Sequence, residues 1–281
     1  MISFFTIPRQ FNGLHEIIQS NAILSWKKLK PDCEILIFGN DVTVSEFCLK
    51  NNLDYIDDFE SNQYGTPLLD AIWNQAFQLS SNNIMCYINS DIILFPDFQK
   101  IIKNINFENF LISGRRWDLD IDYFIDFNSN WIELIKEKLT QDGSLHSETG
   151  ADFFLFPKIA LPKMPPFAIG RTTWDNWLFY DFANRGIPII DATDTIKTIH
   201  QNHDYNHIKT TKKSSFKGEE VKINKNLSKL KFWQIYNISD ASYKMKANDI
   251  VKTSFIKKIN RIRIRYFLTF LVQIKNYFFQ K

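Results

Sequence analysis

The chain has no glycine-rich phosphate loop. Neither GxGxxG nor GxxxxGK[ST] occurs in its 281 residues, which argues against dinucleotide-binding dehydrogenase and P-loop chemistry. Cysteine is scarce: Cys33, Cys48 and Cys86 are scattered, odd in number and set in apolar patterns. That excludes a disulfide framework or zinc knuckle and reads as reduced core thiols of a cytosolic protein. No apolar run approaches the ~20 residues of a membrane-spanning helix. The opening Met1-Ile2-Ser3-Phe4-Phe5-Thr6-Ile7 lacks the basic region of a signal peptide. A net charge of +3 is too small to argue for nucleic acid, and no internal repeat is visible. What the chain does have is apolar content. At 44% hydrophobic it can bury a substantial core, and global disorder is not expected.

The first half alternates short apolar runs with amphipathic segments, the pattern of βαβ units and a largely parallel sheet. Strands are expected at Ile2–Ile7, Glu34–Phe38, Leu53–Ile56 and Ile84–Ile88. Leu14, Ile17, Ile18, Ala22 and Trp26 recur at helical spacing, as do Leu69, Ile72, Trp73 and Phe77. Thr66-Pro67 reads as a helix start. Later strands are expected at Phe110–Ser113, Asp152–Phe156, Ile187–Ile190 and Thr195–Ile199, with a helix from Trp174 to Asn184 capped by Thr173 and ended by Gly186. Residues 208 to 235 are Lys-rich and weakly periodic.

The most telling stretch is Ile-Met-Cys-Tyr-Ile-Asn-Ser-Asp, residues 84 to 91. A buried strand runs into Asn89-Ser90-Asp91, and an apolar run resumes at Ile92. In an open α/β sheet, ligands sit beyond the carboxyl ends of the strands. A carboxylate there can hold Mg²⁺ or Mn²⁺ against a diphosphate, with waters and phosphate oxygens completing the shell. The competing reading is a strand ending in a local Asn-Ser-Asp turn. A second signal is Thr198-Ile199-His200-Gln201-Asn202-His203-Asp204-Tyr205-Asn206-His207, which holds three of the five histidines. Neutral imidazole is a common ligand of divalent metals, so His200 or His203 can complete a sphere begun by Asp91. A polar loop with ordinary hydrogen bonds is the alternative.

A third signal is Arg171-Thr172-Thr173-Trp174-Asp175-Asn176-Trp177. Asp175 sits in the first turn of a helix, where the dipole stabilises a carboxylate. It reads either as a helix-start acid or as a general base facing a hydroxyl, with the aromatics walling a sugar ring. Thr6, Pro8 and Arg9 end the first strand and Asp41 follows the second; these border the same sheet edge and can hold a base, ribose or phosphate. With no glycine-rich cradle, a cation would have to neutralise the diphosphate.

Together these residues resemble a GT-A glycosyltransferase over roughly residues 1 to 207. The resemblance implies a mixed, mostly parallel central sheet flanked by helices. It implies a DxD-like motif at Asn89-Ser90-Asp91, with Asn in place of the first Asp. The acceptor loop would be Thr149-Gly150-Ala151-Asp152, the acidic motif Trp174-Asp175-Asn176, and the metal histidine His200 or His203. It further implies a nucleotide-sugar donor, a UDP-sugar first, with Mn²⁺ or Mg²⁺ on the diphosphate as a Lewis acid. Asp175 would take the acceptor's proton. Arg115 and Arg116 would assist the diphosphate or pair with nearby aspartates. Asp70 and Asp152 would touch ribose or donor sugar, Asp70 reading equally as a solvated helix acid.

Residues 208–253 are expected to form a surface or linker segment. Residues 254–281 interleave Lys257, Lys258, Arg261, Arg263, Arg265 and Lys275 with apolar side chains, as in a basic amphipathic helix on an anionic membrane; a terminal helix packed on the domain is the alternative. The expected place is the cytoplasm, peripheral to a membrane's cytoplasmic face, with a glycan or lipid-linked acceptor and no nucleic acid. Competing readings are a metal-dependent nucleotidyltransferase or phosphoesterase, and a non-catalytic membrane-attached binding protein, for which Asn89 is the best support.

Overall fold

The computed structural model describes residues 1–103, 105–203, 217–247 and 249–254, with Phe267. Strands β1 (Ile2–Thr6), β2 (Glu34–Phe38), β3 (Asp54–Ile56) and β4 (Ile84–Ile88) alternate with helices α1 (Gly13–Lys27), α2 (Val42–Asn51) and α3 (Leu69–Leu79). The chain continues through β5 (Ile92–Leu94), β6 (Leu111–Ser113), β7 (Trp117–Leu119), α4 (Trp131–Asp142), β8 (Ser144–Leu145) and β9 (Phe153–Pro157). Then come α5 (Trp174–Asn184), β10 (Ile189–Asp191), β11 (Thr198–Gln201), α6 (Glu219–Ser228), β12 (Tyr243–Lys246) and β13 (Asp249–Lys252).

Two sheets result. The larger has nine strands in the order β13-β12-β10-β6-β9-β4-β1-β2-β3. It is mostly parallel, with β9 antiparallel to β4 and β6, and β13 antiparallel to β12. Its apolar strands are covered on both faces, as parallel sheets require. Phe4, Trp26, Phe98 and Phe153 fill one side, and Phe5, Trp73, Phe154, Phe156 and Phe179 the other. The smaller sheet, β5-β11-β7-β8, packs Ile93, Leu119 and Ile199 against Trp131, Ile135 and Leu139 of α4.

From β1 the chain adds β2 and β3 on one side, then crosses back to put β4 on the other. The carboxyl ends of β1 and β4 therefore flank a topological switch point, where open α/β sheets open a ligand crevice.

Some local expectations need correction. The helix after Thr66-Pro67 starts later, at Leu69 with Leu68 before it, because Pro67 instead bridges Ser61 and Leu68 bridges Ala168. Within the segment read as linker, α6 packs on α5, and β12 and β13 lengthen the larger sheet. Apolar residues as sparse as Val221, Met245 and Ile250 suffice there, since each strand needs only one covered face. Among the described residues no helix is long and apolar enough to cross a membrane. The basic segment 254–281 lies, but for Ser254 and Phe267, outside the described residues.

Candidate functional site

The polar groups at the switch point come from β4, β9, α1 and the smaller sheet. Strand β4 ends at Ile88, and Asn89, Ser90 and Asp91 form the turn into β5. Each is held differently. The Asn89 amide donates to Asp152 Oδ1 at 2.7 Å, and its backbone N–H to the Asp152 carbonyl at 2.9 Å. Ser90 Oγ donates to Gln19 Oε1 at 3.2 Å. The backbone carbonyl of Asp91 accepts from the Gln201 side chain at 3.2 Å. That leaves the Asp91 carboxylate aimed at two imidazoles.

His203 Nε2 lies 3.4 Å and His200 Nε2 3.6 Å from Asp91 Oδ2. One ligand atom from each of Asp91, His200 and His203 falls within 4.8 Å of the others. Asp91 Oδ1 is buried and has no hydrogen-bond partner. An unpartnered carboxylate oxygen beside two imidazole nitrogens is a donor set that Mn²⁺ accepts, so these residues fit a divalent cation. Burial opposes ionisation of Asp91. His200 first, then His203 and Arg116, outweigh it and hold its pKa at about 2. Burial likewise disfavours a charged His200 ring, but Asp91 and Asp118 raise its pKa.

A second layer surrounds this cluster. Parallel pairing of β7 with β11 sets Asp118 opposite His200, with His200 Nδ1 3.1 Å from Asp118 Oδ1; the contact is close but not aligned as a formed hydrogen bond. Arg116 donates to Asp118 at 3.0 Å and to Asp152 at 2.8 Å. His146 Nδ1 sits 2.6 Å from Asp118 Oδ2. Burial works against an ionised Asp118, yet His200, His146 and Arg116 hold its pKa well below the usual carboxylate range.

The remaining expected residues fall in several places. Thr6 is buried at the end of β1 with its hydroxyl unpartnered, and Pro8 is buried beside it. Arg9 is exposed; its backbone N–H and carbonyl both bond Gln19, the residue that also holds Ser90. Asp41 caps α2, accepting from the Thr43 backbone at 2.9 Å, which accounts for its conservative helix-start position. Asp70 is half-buried in the first turn of α3, with one oxygen unpartnered and its pKa raised by burial. Arg115 donates to the His146 carbonyl at 2.6 Å. Arg116 forms the aspartate pairs weighed above, half-buried between two strands. Gly150 receives Arg116 N–H on its carbonyl, and Ala151 bridges Arg115.

Asp175 stands in the first turn of α5 after Thr173, whose φ of 98° is a strained conformation for a β-branched residue. Burial raises the Asp175 pKa, the helix-start N–H groups oppose this, and Asp152 adds to it. The expected aromatic wall takes a different form. Trp174 is turned inward, edge-on to Tyr87 and Phe154 at 5.3 Å, because apolar burial outweighs display of a ring to solvent. Trp177 packs on Phe167. Asn176 donates to the Tyr236 carbonyl at 2.7 Å, tying α5 to the segment after α6. His207 lies outside the described residues.

Asp118, His146, Gln19 and Gln201 were missed. Asp118 lies in a three-residue strand and Gln201 in a mostly polar one, so neither stands out against an apolar pattern. Gln19 lies on the buried face of α1 among Ser20, Asn21 and Ser25, a polar stripe that apolar periodicity passes over.

No protein-family model matches the sequence, and no curated protein matches it. Among solved structures, S. aureus TarS 1-349 in complex with UDP-GlcNAc aligns at 12% identity and TM-score 0.48, over 75% of this chain and 61% of that one. Mannosyltransferase PcManGT from Pyrobaculum calidifontis, in complex with GDP-Man and Mn²⁺, aligns at 11% identity and TM-score 0.44, over 72% and 57%. HddC from Yersinia pseudotuberculosis aligns at 12% identity and TM-score 0.35, over 57% and 79%. The chain spans about three fifths of the length of the first two. At these TM-scores the likenesses assign neither family nor activity.

Proposed function

We propose that this chain is a glycosyltransferase. It moves a sugar from a nucleotide-sugar donor, a UDP-sugar first, to a glycan or lipid-linked acceptor hydroxyl, with Mn²⁺ or Mg²⁺ held by Asp91, His200 and His203. One observation carries the reading: the unpartnered Asp91 carboxylate oxygen and two imidazole nitrogens converge just past the carboxyl end of β4, where open α/β sheets bind ligands. The sequence resemblance supplies the sugar chemistry.

When bound, the cation supplies Lewis-acid neutralisation of the departing diphosphate. The chain's own groups do the rest. Arg9 is an exposed cation just past the end of β1, suited to phosphate oxygens. Asp152, fixed by Asn89 and Arg116, faces the donor sugar. Asp175, with its raised pKa, takes the proton of the attacking hydroxyl; a more basic carboxylate removes that proton more readily. Nucleotidyl transfer or phosphoester hydrolysis is less well supported, because Asp118 and Asp152 are committed to Arg116 and Asp91 is the one carboxylate in the Asp91, His200 and His203 group that could hold a metal ion among the described residues. Asn89, the support for a non-catalytic reading, has a defined part in holding Asp152.

Calorimetry with UDP, with and without Mn²⁺, tests the reading. Mn²⁺-dependent UDP binding in the wild-type chain that vanishes in Asp91→Ala is expected. An absence of nucleotide binding in any metal would sink it, and donor hydrolysis over a panel of nucleotide-sugars names the sugar. The reading includes the basic 254–281 segment on an anionic membrane; sedimentation with phosphatidylserine vesicles, set against neutral ones, checks that part.

A further inference from the structure

We infer that Asp118 is a positioning residue that fixes the His200 ring, so that Nε2 offers its lone pair beside Asp91. The inference rests on the metal reading above and extends it to a residue outside the ligand set.

Asp118 is itself unsuited to be a ligand, since both its oxygens are engaged. Oδ1 accepts from Arg116 at 3.0 Å and faces His200 Nδ1 at 3.1 Å, and Oδ2 meets His146 at 2.6 Å. It lies across β7 and β11 from His200 by strand register, so its place is set by backbone pairing. The two nitrogens of an imidazole point away from each other. A carboxylate at Nδ1 holds the neutral ring's proton there and leaves the Nε2 lone pair for a metal; Asp118 is the nearer of the two carboxylates, 3.1 Å from Nδ1 against 3.6 Å for Asp91 from Nε2. In this chain Nε2 is the nitrogen that faces Asp91.

The brace extends further. Gly150 carries no side chain, and a Cβ there would meet His146 Cδ2 at 2.3 Å. Glycine at this position lets His146 close on Asp118. Arg116 ties Asp118 to Asp152, and Asn89 ties Asp152 to the motif that ends in Asp91. Both ends of the Asp91–His200 pair are therefore anchored to one polar chain.

The test measures Mn²⁺ binding without nucleotide, by the electron paramagnetic resonance of free Mn²⁺, in wild type, Asp118→Asn and Asp118→Ala. Alongside it, ¹⁵N resonances of the His200 ring are read in the metal-free protein at alkaline pH, where the ring is neutral, and assigned with His200→Gln. Mn²⁺ binding is expected to weaken by about 10- to 100-fold in both variants, the range for loss of such an outer partner. The ring is expected to move from Nδ1–H toward Nε2–H. Asp118→Asn is isosteric but loses the charge paired with Arg116 and His146, so some thermal stability is lost; the His200 tautomer shift in the still-folded variant separates positioning from a structural role. Unchanged Mn²⁺ affinity or an unchanged tautomer in Asp118→Asn overturns the inference and leaves the metal reading standing. Failure of the wild-type chain to bind Mn²⁺ sinks the metal reading and the inference with it.

Discussion

Strand β9 of the larger sheet is apolar and buried from Phe153 to Pro157, whereas β7 and β11 of the smaller sheet set one ionisable side chain each, Asp118 and His200, beside apolar ones. In the smaller sheet, Ile93, Leu119 and Ile199 face the α4 cluster, while His200 and Asp118 lie side by side in register. The central strands of the larger sheet have no such polar face to spare, because apolar clusters cover both of their sides. The difference teaches that stability and chemistry are kept apart. The larger sheet supplies the rigid edge at which β1 and β4 end. The smaller sheet brings up the polar groups that the buried interior could not hold without partners.

This division can be broken from either side. The largest effect is expected for Trp73→Ala. Trp73 is fully buried and stacked on Phe156 at 5.0 Å, so thermal unfolding should show a loss of roughly 3–5 kcal/mol, with unfolding the cause of any lost binding. Asp91→Ala should do the reverse: a thermal midpoint near wild type with transfer down by several kcal/mol of transition-state stabilisation, about a thousandfold. A stability loss in Asp91→Ala matching that of Trp73→Ala would erase the division.

Gly150→Ala lies between the two. Its Cβ drives into His146, and overpacking of this kind costs about 1–3 kcal/mol; denaturant titration reads the cost, and Mn²⁺ affinity should fall with it. Asn89→Asp restores the acidic residue absent from the first motif position. It also replaces an amide donor with a second carboxylate 2.7 Å from Asp152, so calorimetry should show weaker Mn²⁺ binding, where a simple charge count predicts tighter.

The smallest effect concerns pH. The Asp175 pKa is raised, so the folded chain binds that proton more tightly than the unfolded one. The sign follows from this: stability contributed by the protonated group is present below the unfolded value of about 3.9 and is lost as pH rises through the folded value. A base must be ionised, so the acid limb of kcat should lie above pH ~4 and disappear in Asp175→Asn. An acid limb unchanged by that substitution removes Asp175 from the proposed role.

The strands of the first half were legible because each is a short apolar run with a turn after it, and α5 was legible because Trp174, Leu178, Phe179 and Phe182 share one buried face. The strand after Gly114 was not. Residues Trp117-Asp118-Leu119 are too short to show a period, and the aspartates that follow read as loop. The metal cluster was half legible: Asp91 follows a strand, and His200, expected just after another, lies within β11; each is a conspicuous polar residue beside an apolar run. That Arg116 would be drawn into Asp118 and Asp152, or that Trp174 would turn inward, depends on neighbours far away in the chain.

Composition and local pattern by themselves determined the class of this protein: an α/β chain with reduced thiols, no phosphate-cradling glycines, and a carboxylate at the end of an internal strand. Those features arise from interactions within a few residues, where hydrophobic period and turn chemistry suffice. Only the tertiary structure decided that Asp91, His200 and His203 meet, and that Asp118 stands behind His200. The first joins the turn after β4 to the end of β11, more than a hundred residues away, and the second joins β7 to β11, about eighty apart. They depend on strand register and sheet order, which no local window of the sequence specifies.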